Sequence, residues 1–249
     1  MPDLTILHTN DLHGRLSDRA AERIAREKAS SENILLLDAG DAASSGNLYY
    51  RPGGEPMLAR MSDLGYDAMT MGNREFHFLA AGLRSKVKLA RFPVLSANLR
   101  SSDSARRLPT VPSVGFRING LRVIVFGLSV PMITRRMLAG KLSPFWFDDP
   151  IATAAEILPG LRERADVLIA LTHIGIESDT ELASSVPGID VIVAGHTHAV
   201  LPAPRFVDGT AIVHAGYWGR YLGRVEISLP GTPGGRPEIR TALIDLRTE

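Results

Sequence analysis

Two patterns of hydrophobic and polar residues alternate along the chain. Short, bulky apolar runs at 4–8, 34–37 and 167–171 predict buried strands. Between such runs, apolar residues recur at helical spacing, which predicts helices over 19–29, 56–64, 79–90 and about 150–164. An alternation of strands with helices is typical of α/β folds.

Local signals mark where several of these elements begin or turn. Ser17 predicts the N-cap of the first helix, and Asp149 followed by Pro150 predicts the start of the fourth. Asn119-Gly120 lies between two apolar runs and predicts a β-hairpin. Further strands are predicted at 68–71, 94–97, 189–194, 211–214, 224–229 and 238–246. Two stretches, 101–109 and 132–148, lack a regular pattern, and we expect them to be poorly structured. A mixture of βαβ units and hairpins indicates mixed sheets.

Composition narrows the possible classes of protein. The chain has 249 residues, of which 45% are hydrophobic, which fits one large α/β domain or two small ones. Its net charge is +1 with both signs interspersed, so we expect no nucleic-acid partner. It contains no cysteine, so any metal must be held by nitrogen and oxygen ligands. Neither a membrane span nor a signal peptide is evident, so we expect no membrane association and a cytoplasmic location, or a periplasmic one if a signal sequence was trimmed.

Side chains that can hold a metal ion follow several of the predicted strands. The segments are Asp11-Leu12-His13, Gly40-Asp41, Gly72-Asn73, Thr172-His173 and Gly195-His196-Thr197-His198. Each segment by itself is more typical of a turn, but the complete set at successive strand ends is hard to explain by turn chemistry. Because ligands bind at the carboxyl ends of strands in open α/β sheets, we expect these side chains to converge on one rim.

This set of ligands favours a hydrolase with two divalent metal ions. Imidazole, carboxylate and amide ligands suit Mn, Zn or Fe without choosing among them. Two such ions at about 3.5–4 Å can bind a phosphoryl oxygen and lower the pKa of a bridging water.

The order Asp-x-His, Gly-Asp, Gly-Asn, His, Gly-His-x-His resembles that of the calcineurin-like metallophosphoesterase superfamily. The segments 7–14, 72–76, 95–98 and 215–223 are similar to motifs of its 5'-nucleotidase branch, and the resemblance covers nearly the whole chain. It implies a four-layer α/β/β/α sandwich of two mixed β-sheets flanked by helices. It also implies one metallophosphoesterase domain over 1–249, without the C-terminal nucleotide-binding domain of the branch.

The resemblance also implies a role for each ligand. Two groups of three residues would each hold one metal, and a seventh residue would bridge both: Asp11, His13 and His198 for the first, Asn73, His173 and His196 for the second, and Asp41 as the bridge. Asn10 and Asp38 would support the ligands or shape the loops.

Two positions depart from the pattern of the family, which has His after Gly-Asn and Asp three residues later. Arg74 and His77 stand there in this chain. Arginine cannot act as a general acid, but it can bind phosphate through paired hydrogen bonds; the alternative for Arg74 is a surface or ion-pair role. His77 either transfers protons or is only a polar residue at the start of the next helix. The predicted catalytic residues are Arg74 and His77, and the predicted substrate contacts are Asn73, Arg74 and His214.

The function implied by the resemblance is hydrolysis of phosphate monoesters or diesters, nucleotides included, by attack of a metal-bound hydroxide on a small phosphorylated substrate. Without the usual acid, which typically contributes on the order of 10²–10⁴ in rate, we expect esters with good leaving groups to react fastest. Aryl phosphates or diesters should therefore be cleaved faster than nucleoside 5'-monophosphates. Two alternatives remain: a metal-binding or regulatory module whose catalysis is weakened by Arg74, and hydrolysis of a thioester-like or sulfur-linked substrate.

Overall fold

The computed structural model describes residues 2–102, 107–138, 142–230 and 237–248. In chain order the elements are β1 (Leu4–Thr9), α1 (Asp18–Lys28), β2 (Ile34–Asp38), α2 (Pro56–Asp63), β3 (Ala68–Thr70), α3 (Ala80–Val87), β4 (Val94–Leu95), β5 (Leu99–Ser101), β6 (Ser113–Ile118), β7 (Leu121–Ser129), β8 (Phe145–Phe147), α4 (Pro150–Arg162), β9 (Val167–His173), α5 (Ile176–Ser185), β10 (Val191–Ala194), β11 (Arg205–Val207), β12 (Thr210–Val213), β13 (Tyr221–Ser228) and β14 (Glu238–Asp245).

Two mixed sheets form the centre of the molecule. The first has the strand order β14-β13-β1-β2-β3-β4 and the second the order β11-β12-β10-β9-β7-β6. β1 to β4 are parallel, as are β7, β9, β10 and β12. β13 and β14 extend the first sheet in antiparallel fashion, and β6 and β11 form antiparallel edges of the second. The two sheets therefore have the mixed character that the sequence predicts.

Alternating side chains of the strands explain the layers. Ile6 and Leu35 belong to the core between the two sheets, whereas Leu7 and Leu36 belong to the core that includes α1, α2 and α3. On the second sheet, residues such as Ile192 pack in a separate core with α4 and α5. The predicted four-layer α/β/β/α sandwich is thereby confirmed.

The local signals in the sequence correspond to real element ends. Ser17 Oγ accepts a hydrogen bond from the Ala20 amide at 3.1 Å and caps α1. Asp149 caps α4 through a 2.8 Å hydrogen bond from the Ala152 amide. Between β6 and β7, Asn119 and Gly120 have φ angles of 49° and 81°, as a tight hairpin turn with two left-handed residues requires.

Some elements differ from the sequence prediction. The stretch 132–148 was expected to be poorly structured but contains β8, which pairs with β5 and buries Phe145 and Phe147. Two further elements, α5 and β11, are absent from the sequence prediction. For α5 the reason is that the helix buries few large apolar side chains and carries only a weak helical pattern. The parts of the two irregular stretches at 103–106 and 139–141 lie outside the described residues. No helix in the described ranges is long and apolar enough to cross a membrane.

Candidate metal centre

Loops from both sheets meet at one rim and bring the predicted ligands together. Asp11 and His13 follow β1, Asp41 follows β2, Asn73 follows β3, His173 ends β9, and His196 and His198 follow β10. We call these seven residues the ligand cluster. Within it, two groups have donor atoms that lie within 4.8 Å of one another: Asp11 with His13 and His198, and Asp11 with Asp41 and His173.

The two oxygens of Asp41 face opposite halves of the ligand cluster. Its Oδ2 is 3.4 Å from His13 Nε2, and its Oδ1 is 3.5 Å from His173 Nε2. On the first half, His198 Nε2 lies 3.4 Å from Asp11 Oδ1. Asp41 thus occupies the position between the halves that the resemblance implies for a bridging ligand.

The remaining two ligands lie beside His173. Asn73 Oδ1 is 3.3 Å from His173 Nε2, and the rings of His173 and His196 have their centroids 5.0 Å apart. The structure therefore brings together all seven residues that the sequence predicts as ligands.

Two atoms of the cluster show that its donors fit a cation. Asp11 Oδ1 and His13 Nε2 are buried, and neither has a hydrogen-bond partner among the residues that the structure describes. They are 3.7 Å apart, too far for a hydrogen bond between them. Because buried polar atoms are nearly always paired, a cation ligated by both would remove the cost of leaving them without partners.

Backbone strain is concentrated in the same residues. Five of the seven ligands have positive φ angles, between 48° and 81°: Asp11, His13, Asp41, His196 and His198. Residues with a Cβ rarely adopt this region, because each one costs of order 1–3 kcal/mol, and they persist there only where the surrounding structure imposes the conformation. Tertiary contacts therefore hold the ligand loops in place.

Close packing of glycines allows the loops of the two sheets to meet. A Cβ on Gly195 would lie 2.4 Å from the carbonyl oxygen of Ala39 and 2.8 Å from His173 Nδ1. A Cβ on Gly72 would lie 2.3 Å from Asp41 Oδ1. A side chain at either position would therefore push the ligand loops apart.

Hydrogen bonds outside the cluster orient its side chains. His173 Nδ1 donates to the Ala39 carbonyl at 2.7 Å, which leaves Nε2 directed toward Asp41. Asp11 Oδ2 accepts from Asn10 Nδ2 at 2.8 Å and from the His196 amide at 3.0 Å. These bonds occupy one oxygen of Asp11 and leave Oδ1 for the cluster, so Asn10 supports a ligand as the sequence analysis expected.

Two carboxylates shape the loop that carries Asp41. Asp38 Oδ1 accepts from the Gly40 amide at 2.9 Å, in the loop-shaping role expected of it. Glu75, which the sequence analysis missed, is fully buried and accepts from three backbone amides: those of Asp41 and Gly72 at 2.9 Å and that of Ala43 at 2.8 Å. The only sequence signal for Glu75 was its place in the 72–76 motif.

Lys86 is a second fully buried polar residue that sequence reasoning missed. Its ammonium donates to Ser45 Oγ at 2.8 Å, to the Gly46 carbonyl at 2.7 Å and to the Arg74 carbonyl at 2.6 Å. It therefore joins the loop after Asp41 to the loop after Asn73. A lysine in a helical segment normally indicates an exposed face, so the sequence held no signal for this role.

The electrostatics of the cluster favour positive charge. Burial opposes ionisation of Asp11, but the nearby imidazoles of His13 and His173 and the hydrogen bond from Asn10 lower its pKa to about 2. Burial likewise opposes charging of His13, yet the carboxylates of Asp11 and Asp41 raise its pKa to about 9. The carboxylates thus stay ionised and stabilise a cation among them.

Arg74 lies directly beside a ligand. Its backbone amide donates to Asp41 Oδ1 at 2.7 Å, and its guanidinium Nε is 3.7 Å from Asp41 Oδ2. Nη1 donates to the Ser44 carbonyl at 3.0 Å. The side chain is 30% exposed, so part of the guanidinium remains open to solvent at the edge of the cluster.

The structure places His77 in the loop that leads into α3, ahead of the N-cap residue Leu79. His77 is 2% exposed, and its Nδ1 accepts from the Leu79 amide at 3.0 Å, next to the first turn of α3. Its ring stacks on Phe78 and meets Tyr50 edge-on, with centroids 4.8 and 4.9 Å apart. These contacts agree with the structural alternative for His77; the catalytic role stays a prediction without support from them.

His214 lies behind the histidine loop. It is fully buried, its Nδ1 accepts from Asn10 Nδ2 at 3.2 Å, and its Nε2 is 3.4 Å from Thr197 Oγ1. Burial lowers its pKa to about 4, so the ring is neutral near pH 7. Its contacts orient Asn10 and Thr197, whereas the predicted substrate contact has no support from its burial.

Two aromatic residues of the 215–223 motif border the cluster, and the sequence analysis gave them no role. The ring of Tyr217 stacks on His198 with centroids 4.8 Å apart. Trp218 Nε1 is 3.4 Å from His13 Nδ1, and its backbone amide donates to the Asp11 carbonyl at 2.9 Å. Both rings therefore contact the half of the cluster formed by Asp11, His13 and His198.

The fold is that of a known family. The chain matches the calcineurin-like phosphoesterase model over residues 4–200 and belongs to that family. The resemblance drawn from the motifs is thus confirmed.

Individual relatives cover most of this chain. It is 33% identical over 91% of its length to the trifunctional nucleotide phosphoesterase protein YfkN of Bacillus subtilis, and 31% identical over 90% to protein UshA of Yersinia enterocolitica. It spans only 18% and 48% of the lengths of these two proteins. The crystal structure of a 5'-nucleotidase precursor from Thermus thermophilus is similar over 97% of this chain and 54% of that one, with 28% identity and a TM-score of 0.78.

Proposed function

We propose that this chain is a dinuclear metal-dependent phosphoesterase that hydrolyses phosphate monoesters or diesters. The observation that carries the proposal is the pair of ligand groups that share Asp11, with Asp41 facing both halves of the cluster. Two divalent ions such as Mn, Zn or Fe, when bound, would polarise the phosphoryl oxygens and lower the pKa of a water.

The residues of the chain divide the remaining work. Asp11, His13 and His198 would hold one ion and Asn73, His173 and His196 the other, with Asp41 between the two groups. Arg74 offers its partly exposed guanidinium to the phosphate oxygens, where it stabilises the charge that develops during attack. Since arginine cannot deliver a proton, the leaving group departs as an anion.

The lack of a proton donor determines which leaving groups, and therefore which substrates, react well. The names of the relatives, a trifunctional nucleotide phosphoesterase and a 5'-nucleotidase precursor, favour small phosphorylated compounds, nucleotides among them. An anionic leaving group is tolerable when it is weakly basic, as in aryl phosphates, and costly when it is a ribose 5'-hydroxyl. We therefore expect kcat/KM to be higher for aryl phosphates and aryl diesters than for AMP.

Metal analysis combined with a substrate panel tests the proposal. The metal-stripped protein is reloaded with Mn, and its metal content is measured together with its rates on an aryl phosphate, an aryl diester, AMP and a thioester. We expect about two ions per chain, and about one after His198→Ala or His173→Ala, since each removes a ligand of a different ion. Glu22→Gln, on the exposed face of α1, serves as the control.

Three results would contradict the proposal. A content of one ion or none in the reloaded protein would remove the dinuclear mechanism. AMP turnover equal to that of the aryl phosphate would mean that a proton donor is present after all. Hydrolysis of the thioester without hydrolysis of any phosphate ester would instead indicate that the chain acts on sulfur-linked substrates.

The ion pair of Arg74 favours a second candidate, a metal-binding module with weakened catalysis. The guanidinium lies 3.7 Å from the Asp41 carboxylate and neutralises part of its charge. In this view, Arg74→His raises turnover by an order of magnitude or more, since general acids contribute about 10²–10⁴. A fall in turnover would instead make Arg74 a working phosphate contact.

A further inference from the structure

Three buried polar side chains connect the two sheets next to the strand ends that carry Asn73 and His173. Ser96 follows β4 in the first sheet, Ser129 ends β7 in the second, and Asn98 lies two positions after Ser96. Ser96 is 4% exposed, and the other two are fully buried. We call Ser96, Asn98 and Ser129 the inter-sheet network.

The backbones of the two sheets approach each other closely at this network. The Ala97 amide donates to the Gly127 carbonyl at 2.7 Å. A Cβ on Gly127 would lie 2.4 Å from the Cβ of Leu95 and 2.9 Å from its carbonyl oxygen. β4 of the first sheet and β7 of the second are therefore in direct contact, with no room for a side chain at position 127.

Asn98 holds the end of β7 through its side-chain amide. Its Oδ1 accepts from the Ser129 amide at 3.0 Å, and its Nδ2 donates to the Ser129 carbonyl at 2.8 Å. Nδ2 also donates to the Asp148 carbonyl at 3.1 Å. Any other orientation of Ser129 would leave buried polar groups without partners, so Asn98 fixes the backbone of that residue.

The hydroxyl of Ser129 connects this fixed position to the loop of Asn73. Its Oγ donates to the carbonyl of Met71, two residues before Asn73, at 2.7 Å. Ser96 Oγ is 2.9 Å from Ser129 Oγ and donates to it, because the single proton of Ser129 is already bound to Met71. The Met71 amide donates to the Leu95 carbonyl at 2.9 Å, so both backbone groups of Met71 are paired.

The same end of β7 also holds the strand that carries His173. Ser129 lies opposite His173 in the register of β7 and β9, and the Val130 amide donates to the His173 carbonyl at 2.9 Å. Asn73 and His173 therefore come from different sheets, and residues 129 and 130 bond to the backbone beside each of them. Their side-chain atoms Asn73 Oδ1 and His173 Nε2 are 3.3 Å apart.

The separation of these two side chains matters for a metal ion. Ligand oxygens and imidazole nitrogens lie at about 2.0–2.2 Å from an ion such as Zn, so small shifts of a ligand weaken binding. Groups that orient ligands without touching the ion typically contribute about 10–100-fold to metal affinity. The inter-sheet network is placed to have such an effect, because it bonds to the segments of both ligands.

We propose that Ser129 and Asn98 are positioning residues, which set the separation of Asn73 from His173 and thereby the metal affinity of that half of the ligand cluster. This inference rests on the dinuclear site of the proposed function. Neither residue contacts the metal or the substrate, and both act through the two ligands.

The other half of the ligand cluster provides an internal reference. Its residues Asp11, His13 and His198 lie on the loops after β1 and β10. The hydrogen bonds of the inter-sheet network within the described ranges go to other segments. A change in the network should therefore weaken one ion and leave the other unaffected.

Single-site backgrounds allow the two halves to be measured separately. His198→Ala removes a ligand of the reference half, and His173→Ala removes one from the half with Asn73. Mn²⁺ is titrated by calorimetry into each metal-stripped protein. We expect Ser129→Ala to weaken Mn²⁺ binding about tenfold in the His198→Ala background and by less than about twofold in the His173→Ala background.

Three further variants separate positioning from general destabilisation. Asn98→Asp keeps the size of the side chain but removes its donor, and should weaken Mn²⁺ binding at least as much as Ser129→Ala in the same background. Ser96→Ala removes a donor to Ser129 Oγ and should have a smaller effect. Thr210→Val is the control: it removes a buried hydroxyl that donates to the Ile189 carbonyl at 2.8 Å, at the end of the second sheet opposite to the ligand loops. It should lower the urea midpoint without changing Mn²⁺ affinity in either background.

The outcomes separate this inference from the proposed function. Equal weakening by Ser129→Ala in both backgrounds, or none in either, overturns the positioning role, and so does an equal loss with Thr210→Val. A wild-type protein that binds two ions and hydrolyses phosphoesters would then retain the function. Selective weakening in the His198→Ala background of a protein that hydrolyses no phosphoester retains the positioning role and removes the function. No Mn²⁺ binding in the His198→Ala background overturns both.

Discussion

Different interactions hold the two sides of the ligand cluster in place. On the Asp41 side, formed by the loops after β2 and β3, two fully buried polar side chains bind the backbone: Glu75 accepts from three amides, and Lys86 donates to the loops on both sides of it. On the histidine side, formed by 195–198 and 215–220, the partly exposed ring of Tyr217 stacks on His198 and that of Trp218 approaches His13 through Nε1. An arginine lies over each of these two rings.

Because of this difference, one side of the cluster is held rigidly and the other leaves polar groups that can bind a substrate. A buried ion that satisfies several backbone groups permits only one loop conformation, because any other would leave a buried donor or acceptor without a partner. Ring stacking is worth less and tolerates small shifts, and it leaves the polar groups of the arginines free. The Asp41 side thus fixes a ligand, whereas the histidine side can both hold ligands and face a substrate.

The largest expected effect is that of Glu75→Gln. The side chain of glutamine has only one oxygen for the three backbone N–H groups that Glu75 binds, and its NH2 group faces at least one of them. We expect the free energy of unfolding to fall by about 3 kcal/mol, measured by urea unfolding without metal. Glu22→Gln on the surface is the control, and equal midpoints for the two variants would show that Glu75 does not brace the loop.

Lys86→Met should have a somewhat smaller effect. Methionine has a similar length, so the loss is mainly that of hydrogen bonds to the Gly46 and Arg74 carbonyls and to Ser45. We expect destabilisation by about 2 kcal/mol. Lys88→Met is the matched control, since Lys88 is exposed and donates to the Pro52 carbonyl, and it should change stability by less than about 0.5 kcal/mol. Similar losses in both variants would contradict the distinction between a buried brace and a surface lysine.

The smallest effect is expected for Tyr217→Leu. It removes the stacking on His198 and the hydroxyl that binds Arg220, which together are worth about 1 kcal/mol. We expect a small change in the urea midpoint and a several-fold weaker affinity for one of the two proposed metal ions, measured by titration calorimetry. Tyr49→Leu is the control, because Tyr49 is 61% exposed. A loss of stability as large as that of Glu75→Gln would remove the contrast between the two sides.

Much of the fold and most of the ligand cluster could be predicted from the sequence, because their signals are local. The cap residues Ser17 and Asp149 stand next to the helices they begin, and the hairpin turn is contained in Asn119-Gly120. α5 was missed because its buried face has few large apolar residues, and β8 because its partner strand β5 is distant in sequence.

The sequence by itself thus determined the mixed α/β class, the family and the candidate ligands at strand ends, since each depends on residue type and spacing along a short segment. The four layers of the sandwich followed only from the resemblance to that family. Only the tertiary structure decided what holds and surrounds those ligands. Trp218 reaches His13 across 205 positions, and Lys86 joins Ser45 across 41. No periodicity or motif encodes such pairs, because burial and partner choice arise only when separate loops pack against each other. For the same reason, the contrast between the braced Asp41 side and the open histidine side appears only in the folded chain.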